Sequence, residues 1–344
     1  MLDDLKKIAS LDKTDVLGVA EKQAHQLEWE FNVSDINAEN DITNVVLGGM
    51  GGSALYAEIY RVWPGPSVPF EIVRDYNLPK YVGKNTLYIA SSFSGNTEES
   101  LEGLRQAEER GSTIAVIAAG GKLAQIAKDK NYPFAQLDSA IPQPRMSVFN
   151  AMKALLSVLE AAGVESGKVE ELMQAGKKVA EATQDWRADV STSDNLAKQT
   201  ALELMGKSVV AYSGRQMFPI ANKLKINCNE NAKNVAWVNY FPEQNHNEFI
   251  GWSSHPVDKS YAIVNIMSSF EHSRIAKRFE VQDRLLSGKR PQPIYLEMVG
   301  DTLIEQLLYG VMLVDMTTLY LAFLNNLDPA PVDLVEKMKA ELDK

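Results

Sequence analysis

Three hydroxyls, those of Ser92, Ser94 and Thr97, crowd around Gly95 in the stretch SSFSGNTEES, directly after the apolar run NTLYIA. A helix beginning near Glu98 needs one Ser or Thr to cap it, so three within six residues exceed that need. Neutral hydroxyls and backbone amides can together enclose a phosphate monoester. A second candidate precedes this one. VVLGGMGGSALYAEIYR, residues 45 to 61, runs from an apolar segment through Gly48, Gly49, Met50, Gly51, Gly52 and Ser53 into a helical pattern. The spacing is neither G-x-G-x-x-G nor that of the P-loop, which wants a Lys and a Ser or Thr after its last glycine. What it offers is a tight turn of exposed N–H groups with a hydroxyl at a helix start, where partial positive charge favours an anion. A turn that only packs strand against helix has the same composition, and the glycines alone do not separate the two readings.

Two further side chains have suitable chemistry. Arg145 follows Pro142 and Pro144, which stiffen the segment before a new helix; a guanidinium held that way stabilises an anion without ever losing its charge. The alternative is a surface arginine near a helix start. His246 is one of four histidines. It stands between Asn245 and Asn247 in a polar loop, with a ring whose ordinary pKa suits proton transfer near neutrality. His25, His255 and His272 lack a partner pattern and read as structural. No close pairing of histidines suggests a metal site, so neither metal nor cofactor is expected.

The elements that must position these groups alternate. Short apolar runs at 44–49, 69–75, 85–92, 112–120 and 133–138 are interleaved with helical patterns, the signature of parallel strands buried on both faces. Residues 147–200 carry no strand signal and read as long helices; in the leading residues 1–42, DVLGVAEKQAHQLEWEF is the segment with the clearest amphipathic pattern. Strand-like runs resume at 207–214, 234–240, 260–268 and 292–300. The second half thus repeats the first, down to the opening turn: VVAYSGRQMFPIANKLK, like residues 45 to 61, passes from a valine pair through glycine into a helix. The expectation is an α/β chain of two doubly wound parallel sheets, with ligands at the carboxyl ends of the strands. Its domains are 1–160 with the leading helices, a helical connection 161–200, and 201–344 with a terminal helix.

Composition bounds the partners. A chain of 344 residues, 45% hydrophobic, can bury two cores. Its net charge of −10 leaves no basic surplus for nucleic acid. Runs such as STIAVIAA break well before the roughly 18 residues of a membrane span, and the residues after Met1 are charged rather than signal-like. With the single cysteine, Cys228, excluding a disulfide framework, a cytoplasmic protein is expected.

The pair GGMGGS and S-x-S-G-N-T-E-E resembles the sugar isomerase (SIS) domain, a flavodoxin-like module whose Ser/Thr loop binds the phosphate of phosphosugars. Two such modules in this length resemble the bifunctional phosphoglucose/phosphomannose isomerases. PQPRMSV around Arg145, KINCNENAKN around Glu230, PEQNHNEFIGW around His246 and LDPAPVDLVEKMK around Lys339 are similar to that family's segments, in its order. The resemblance implies aldose–ketose isomerisation through an enediol. Gly51, Gly52, Ser53, Ser92, Ser94 and Thr97 would bind the substrate, and Glu230 would carry the proton between C1 and C2, oriented by Asn227, Asn229 and Asn231. Arg145 would stabilise the enediolate, Lys339 would assist at the ring oxygen with Lys337 as its competitor, and His246 would assist ring opening from the neighbouring subunit of a homodimer. By residue type alone Glu230 is one of 45 acidic residues. One departure concerns Asp328, Pro329, Ala330 and Pro331, where the family has D-P-T-P and its threonine is linked to accepting the mannose epimer. The other reading of such modules is a sugar-phosphate sensor without turnover. Sensors carry a DNA-binding segment or a second enzymatic domain, and residues 1–42 are too acidic for the former.

Overall fold

A computed structural model describes residues 1–254 and 260–342; His255 lies outside the described residues. In chain order α1 (Leu5–Leu11) and α2 (Val16–Glu21) are followed by β1 (Asn44–Gly48), α3 (Leu55–Val62), β2 (Phe70–Val73), β3 (Thr86–Ser91), α4 (Glu98–Glu109), β4 (Thr113–Ala118), α5 (Gly121–Lys130) and β5 (Phe134–Gln136). Helices α6 (Val148–Ala161), α7 (Lys168–Ala182) and α8 (Leu196–Leu204) come next. Then follow β6 (Ser208–Ser213), α9 (Phe218–Glu230), β7 (Ala236–Tyr240), α10 (Glu248–Gly251), β8 (Tyr261–Met267), α11 (Ser273–Leu285), β9 (Ile294–Glu297), α12 (Leu303–Leu324) and α13 (Asp333–Leu342). Each run expected as a strand forms one, shortened at its ends.

Among the described residues the strands make two sheets, in which every pairing is parallel: β2-β1-β3-β4-β5 and β7-β6-β8-β9. All six residues of β3 are buried, as a strand covered by helices on both faces requires. The first order is the flavodoxin arrangement, whose direction of winding reverses between β1 and β3. The glycine turn leaves the carboxyl end of β1 and the hydroxyl loop that of β3, so the register Gly48↔Ala90 brings both to the reversal point. The second sheet repeats the order without a fifth strand.

The chain forms two compact units, Lys22–Ala180 with Thr302–Leu308, and Met1–Glu21 with Glu181–Asp301 and Tyr309–Lys344. Within the second, fully buried Lys198 ties in the first residues, donating to Asp3 at 3.0 Å and to the carbonyls of Ala188 and Val190 at 2.9 and 2.7 Å. The passage between units falls between Glu21 and Lys22, inside the segment expected as one amphipathic helix. That helix is broken accordingly: α2 ends at Glu21, and Gln23–Glu28 form a 3-10 turn whose Gln26 donates to the Met146 carbonyl at 2.8 Å. Tertiary partners override the local periodicity here.

Helix α12 corrects one expectation. It has 22 residues, and its most apolar 18-residue stretch has a mean hydropathy of 1.8, enough in length and composition to cross a membrane, but 94% of that stretch is buried inside the protein. It is a core helix.

Candidate active site

The glycine turn packs too closely for side chains. A Cβ on Gly52 would stand 2.8 Å from the Arg145 nitrogen and 3.0 Å from the Pro144 carbonyl carbon, so glycine is what lets the Arg145 segment lie against the turn. Arg145 itself is 1% exposed, in the 3-10 turn Pro144–Met146, and its Nη1 donates to Gln143 Oε1 at 3.2 Å. A surface arginine is therefore excluded. A guanidinium this deep has lost its water and needs anionic or strongly accepting neighbours.

The hydroxyl loop is bound to the turn. Ser53 Oγ accepts from the Phe93 amide at 3.0 Å, and the Ser91 hydroxyl donates to the Ser53 carbonyl at 2.7 Å while standing 2.7 Å from the hydroxyl of buried Tyr56. Burial pushes the Tyr56 phenol well above its ordinary value, so it stays a neutral partner. Within the loop Ser92 Oγ lies 2.8 Å from Thr97 Oγ1 and 3.4 Å from Ser94 Oγ, and accepts from the Gly95 amide at 3.1 Å. Gly95 has φ +69° and its missing Cβ would meet the Gly120 carbonyl oxygen at 1.8 Å, which pins the loop's bend. Thr97 occupies the N-cap of α4 without making a side-chain cap bond. Its hydroxyl faces Ser92 instead, leaving first-turn amides of α4 available to a ligand.

The other three candidates lie in the second unit. Glu230 is the last residue of α9 and half-buried. Among the asparagines beside it, Asn227 donates to Asp315 at 2.5 Å, Asn231 to Thr318 at 3.0 Å, and Asn229 accepts from the Ala236 amide at 3.2 Å. These bonds fix the end of the helix that carries the carboxylate. His246 is exposed in the 3-10 turn Glu243–His246 after β7. Lys339 is on α13, a helix with no buried residue, and donates to Glu336 at 2.8 Å. Lys337, two positions before it, projects from a different face of that helix. Ala330 is 7% exposed and donates its amide to Asp328 Oδ1 at 3.0 Å, while Lys233, three residues beyond Glu230, donates to the Asp328 carbonyl at 3.0 Å. His25 stands 2.9 Å from Glu28, and His272 caps α11 by accepting from the Arg274 amide at 3.1 Å.

The repeated turn of the second sheet is filled by the protein itself. Glu271, in the loop after β8, accepts from the amides of Gln216 and Met217 at 2.9 and 3.2 Å, and a Cβ on Gly214 would come within 2.2 Å of its carboxyl carbon. Its loop corresponds to the hydroxyl loop after β3, so a carboxylate stands where the first unit offers serines. Burial raises the Glu271 pKa above its ordinary 4.5, against a lowering by the two amides. A raised folded-state value means that this group's stability contribution is complete at low pH and is lost as pH rises through that value. Glu271→Gln keeps an acceptor for the amides and removes the titration. Its Tm relative to the parent is expected to climb by a few degrees between about pH 4 and about pH 7; a difference flat with pH in thermal scans contradicts this.

A cavity of about 460 Å³ is lined by Val210, Trp237, Val238, Glu248, Gly251, Trp252 and Tyr261, whereas Gly52, Ser53, Tyr56, Ser91 and Pro144 line a narrow crevice. Neither lining includes Ser92, Ser94, Thr97 or Arg145; the hydroxyls and backbone amides gathered at the carboxyl ends of β1 and β3, with buried Arg145 packed on the glycine turn, mark the candidate site. Among the described residues no cluster of three or more His, Cys, Asp or Glu side chains is placed to hold a metal ion.

Two flavodoxin-like parallel sheets, one with a hydroxyl loop at its reversal point, define a sugar isomerase (SIS) protein. The chain is similar in fold to a hypothetical protein TT0462 of Thermus thermophilus, with TM-score 0.68 and 15% identity over 98% of this chain and 89% of that one. The model of the bacterial phospho-glucose isomerase C-terminal SIS domain matches residues 193–342. Over 326 residues the chain is 32% identical to a bifunctional phosphoglucose/phosphomannose isomerase of Caldicellulosiruptor bescii, covering 93% of this chain and 95% of that one. It is 29% identical over 333 residues to that of Aquifex aeolicus, covering 96% and 99%. The chain belongs to the bifunctional phosphoglucose/phosphomannose isomerase family.

Proposed function

We propose that the protein interconverts glucose 6-phosphate, and with lower efficiency mannose 6-phosphate, with fructose 6-phosphate through an enediol, without a metal. The observation that carries this reading is the ring of Ser92, Ser94 and Thr97 at the reversal point of the first sheet, in a chain of this family. Ser53, these hydroxyls and the amides of Gly51 and Gly52 hold the phosphate. Glu230 moves the proton between C1 and C2, Arg145 stabilises the enediolate, and His246 and Lys339 assist ring opening. Residues 1–160 and 201–344 carry the sheets of the two modules, and the helices of 161–200 connect them in sequence. The C2 proton lies on opposite faces in the two epimers, so one base serves both only if the C2–C3 bond rotates. Ala330, lacking the hydroxyl of the family's threonine, is the reason for ranking glucose above mannose. A coupled assay with each aldose separately and EDTA present tests both points: turnover of glucose 6-phosphate above mannose 6-phosphate is expected, and dependence on added metal, or the reverse ranking, contradicts it.

The working form is a cytoplasmic homodimer in which His246 reaches the partner's substrate. Exposed His246, without a described partner, motivates this reading; buried Cys228, its thiol pushed up to about 12 by burial, agrees with a reducing compartment. Mixing inactive Glu230→Gln with inactive His246→Ala protein is expected to restore activity in hybrid dimers. No restoration after confirmed subunit exchange refutes the shared site. Recovery of the protein outside the cytosolic fraction refutes the localisation.

A further inference from the structure

We infer that the buried pair Lys223–Asp315, extended by Asn227, Asn231 and Thr318, is a positioning device for the Glu230 carboxylate. Lys223, Asn227, Glu230 and Asn231 stand at i, i+4, i+7 and i+8 on α9 and share one face of it. Opposite them on α12 stand Asp315 and Thr318, one turn apart. Lys223 Nζ lies 2.7 Å from Asp315 Oδ1 with both side chains wholly out of water, and Asn227 Nδ2 donates to the same oxygen at 2.5 Å. Thr318 donates its hydroxyl to the Val314 carbonyl at 2.8 Å, which leaves its lone pairs to accept from Asn231 Nδ2 at 3.0 Å.

Stability does not require such a pair. Desolvating two charges costs as much as their attraction returns, and well-packed apolar replacements are often neutral or better. What the polar contacts add is direction: apolar side chains let two helices slide, whereas an ion pair and two hydrogen bonds admit one register. The register matters at this place because Glu230 is the last residue of its helix, where ends fray. Asn227 one turn before it and Asn231 immediately after it are both tied to α12, so the base is clamped from both sides. Asn227 Oδ1 is buried and has no partner among the described residues. It lies one turn from Glu230 on the same face, where neighbouring side chains meet, and is an acceptor for the proton while Glu230 carries it. Asp315 acts through the helix, not on the substrate.

The inference rests on Glu230 being the base, so Glu230→Gln is measured alongside. The combined apolar replacement Lys223→Met with Asp315→Leu removes the directional contacts without leaving a lone buried charge. Its kcat is expected to fall roughly tenfold to hundredfold, as for a misplacement of about an ångström, with KM for fructose 6-phosphate within about threefold and the thermal midpoint unchanged or raised. Near-isosteric Thr318→Val, which releases only Asn231, is expected to lower kcat about threefold to tenfold at constant KM; if the double variant does not fold, this one decides. Parental kcat in the folded variants, with Glu230→Gln inactive, overturns the positioning role and leaves the base assignment standing. Parental activity in Glu230→Gln overturns the base assignment and with it the positioning.

Discussion

Replacing Glu230 by glutamine is expected to lower isomerisation by about a hundredfold to ten-thousandfold, the range one positioned acid or base contributes, while binding of fructose 6-phosphate stays within about threefold of the parent. Glutamine keeps the shape and an accepting oxygen at the end of α9 but cannot take a proton from C1 or C2. The hydroxyl loop and Arg145 keep their own side chains and hydrogen bonds in this variant. Ring opening, assigned to other groups, should persist, so the variant is expected still to accelerate exchange between the anomers of glucose 6-phosphate. Steady-state kinetics, calorimetry and anomer exchange by NMR check the three parts. Near-parental turnover rejects Glu230 as the base.

Removing the hydroxyls of Ser92, Ser94 and Thr97 together is expected to act in the opposite sense, on binding first. A hydrogen bond to a charged group contributes about 1.5 to 3 kcal/mol. The phosphate does not react, so its contacts stabilise ground and transition states alike. Because Ser92 also accepts from the Gly95 amide, the three losses overlap, and an increase in Kd for fructose 6-phosphate of at least about a hundredfold is the expected result. Calorimetry in the Glu230→Gln background measures it without turnover. Exposed Ser94→Ala alone, which keeps the loop's internal contact between Ser92 and Thr97, separates a lost phosphate contact from a collapsed loop. Unchanged affinity in the triple variant places the phosphate elsewhere.

Much of the architecture was legible because parallel strands buried on both faces must be continuous apolar runs, and the glycine and serine turns between them are conspicuous against those runs. The hydroxyl loop could be read for the same reason: three hydroxyls where a cap needs one. Arg145 was legible as a stiffened arginine, but its burial was not, because it depends on a glycine 93 positions earlier in the chain that lets its backbone approach. Non-local partners account for the other gaps. The segment around α2 has helical periodicity, yet its two halves belong to different cores. Asn227, Asn229 and Asn231 read as a cluster around Glu230, whereas two of them bond α12. A signal for this did exist: Asp315 interrupts the long apolar run of α12, and an acidic residue there needs a buried partner. Glu271 carried no such signal, since an acidic residue in a loop is ordinarily solvated, and only the fold shows that it fills the second turn.

An enediol exposes its proton to solvent for part of each cycle, so the most direct measurement is to incubate the protein with fructose 6-phosphate in deuterium oxide and follow C2 of the glucose 6-phosphate formed by NMR. Deuterium at C2 in the product, appearing with the parent protein and abolished in Glu230→Gln, is the predicted result. Tight binding of fructose 6-phosphate with neither aldose formed nor its C1 protons exchanged would show a sugar-phosphate sensor and contradict the isomerase.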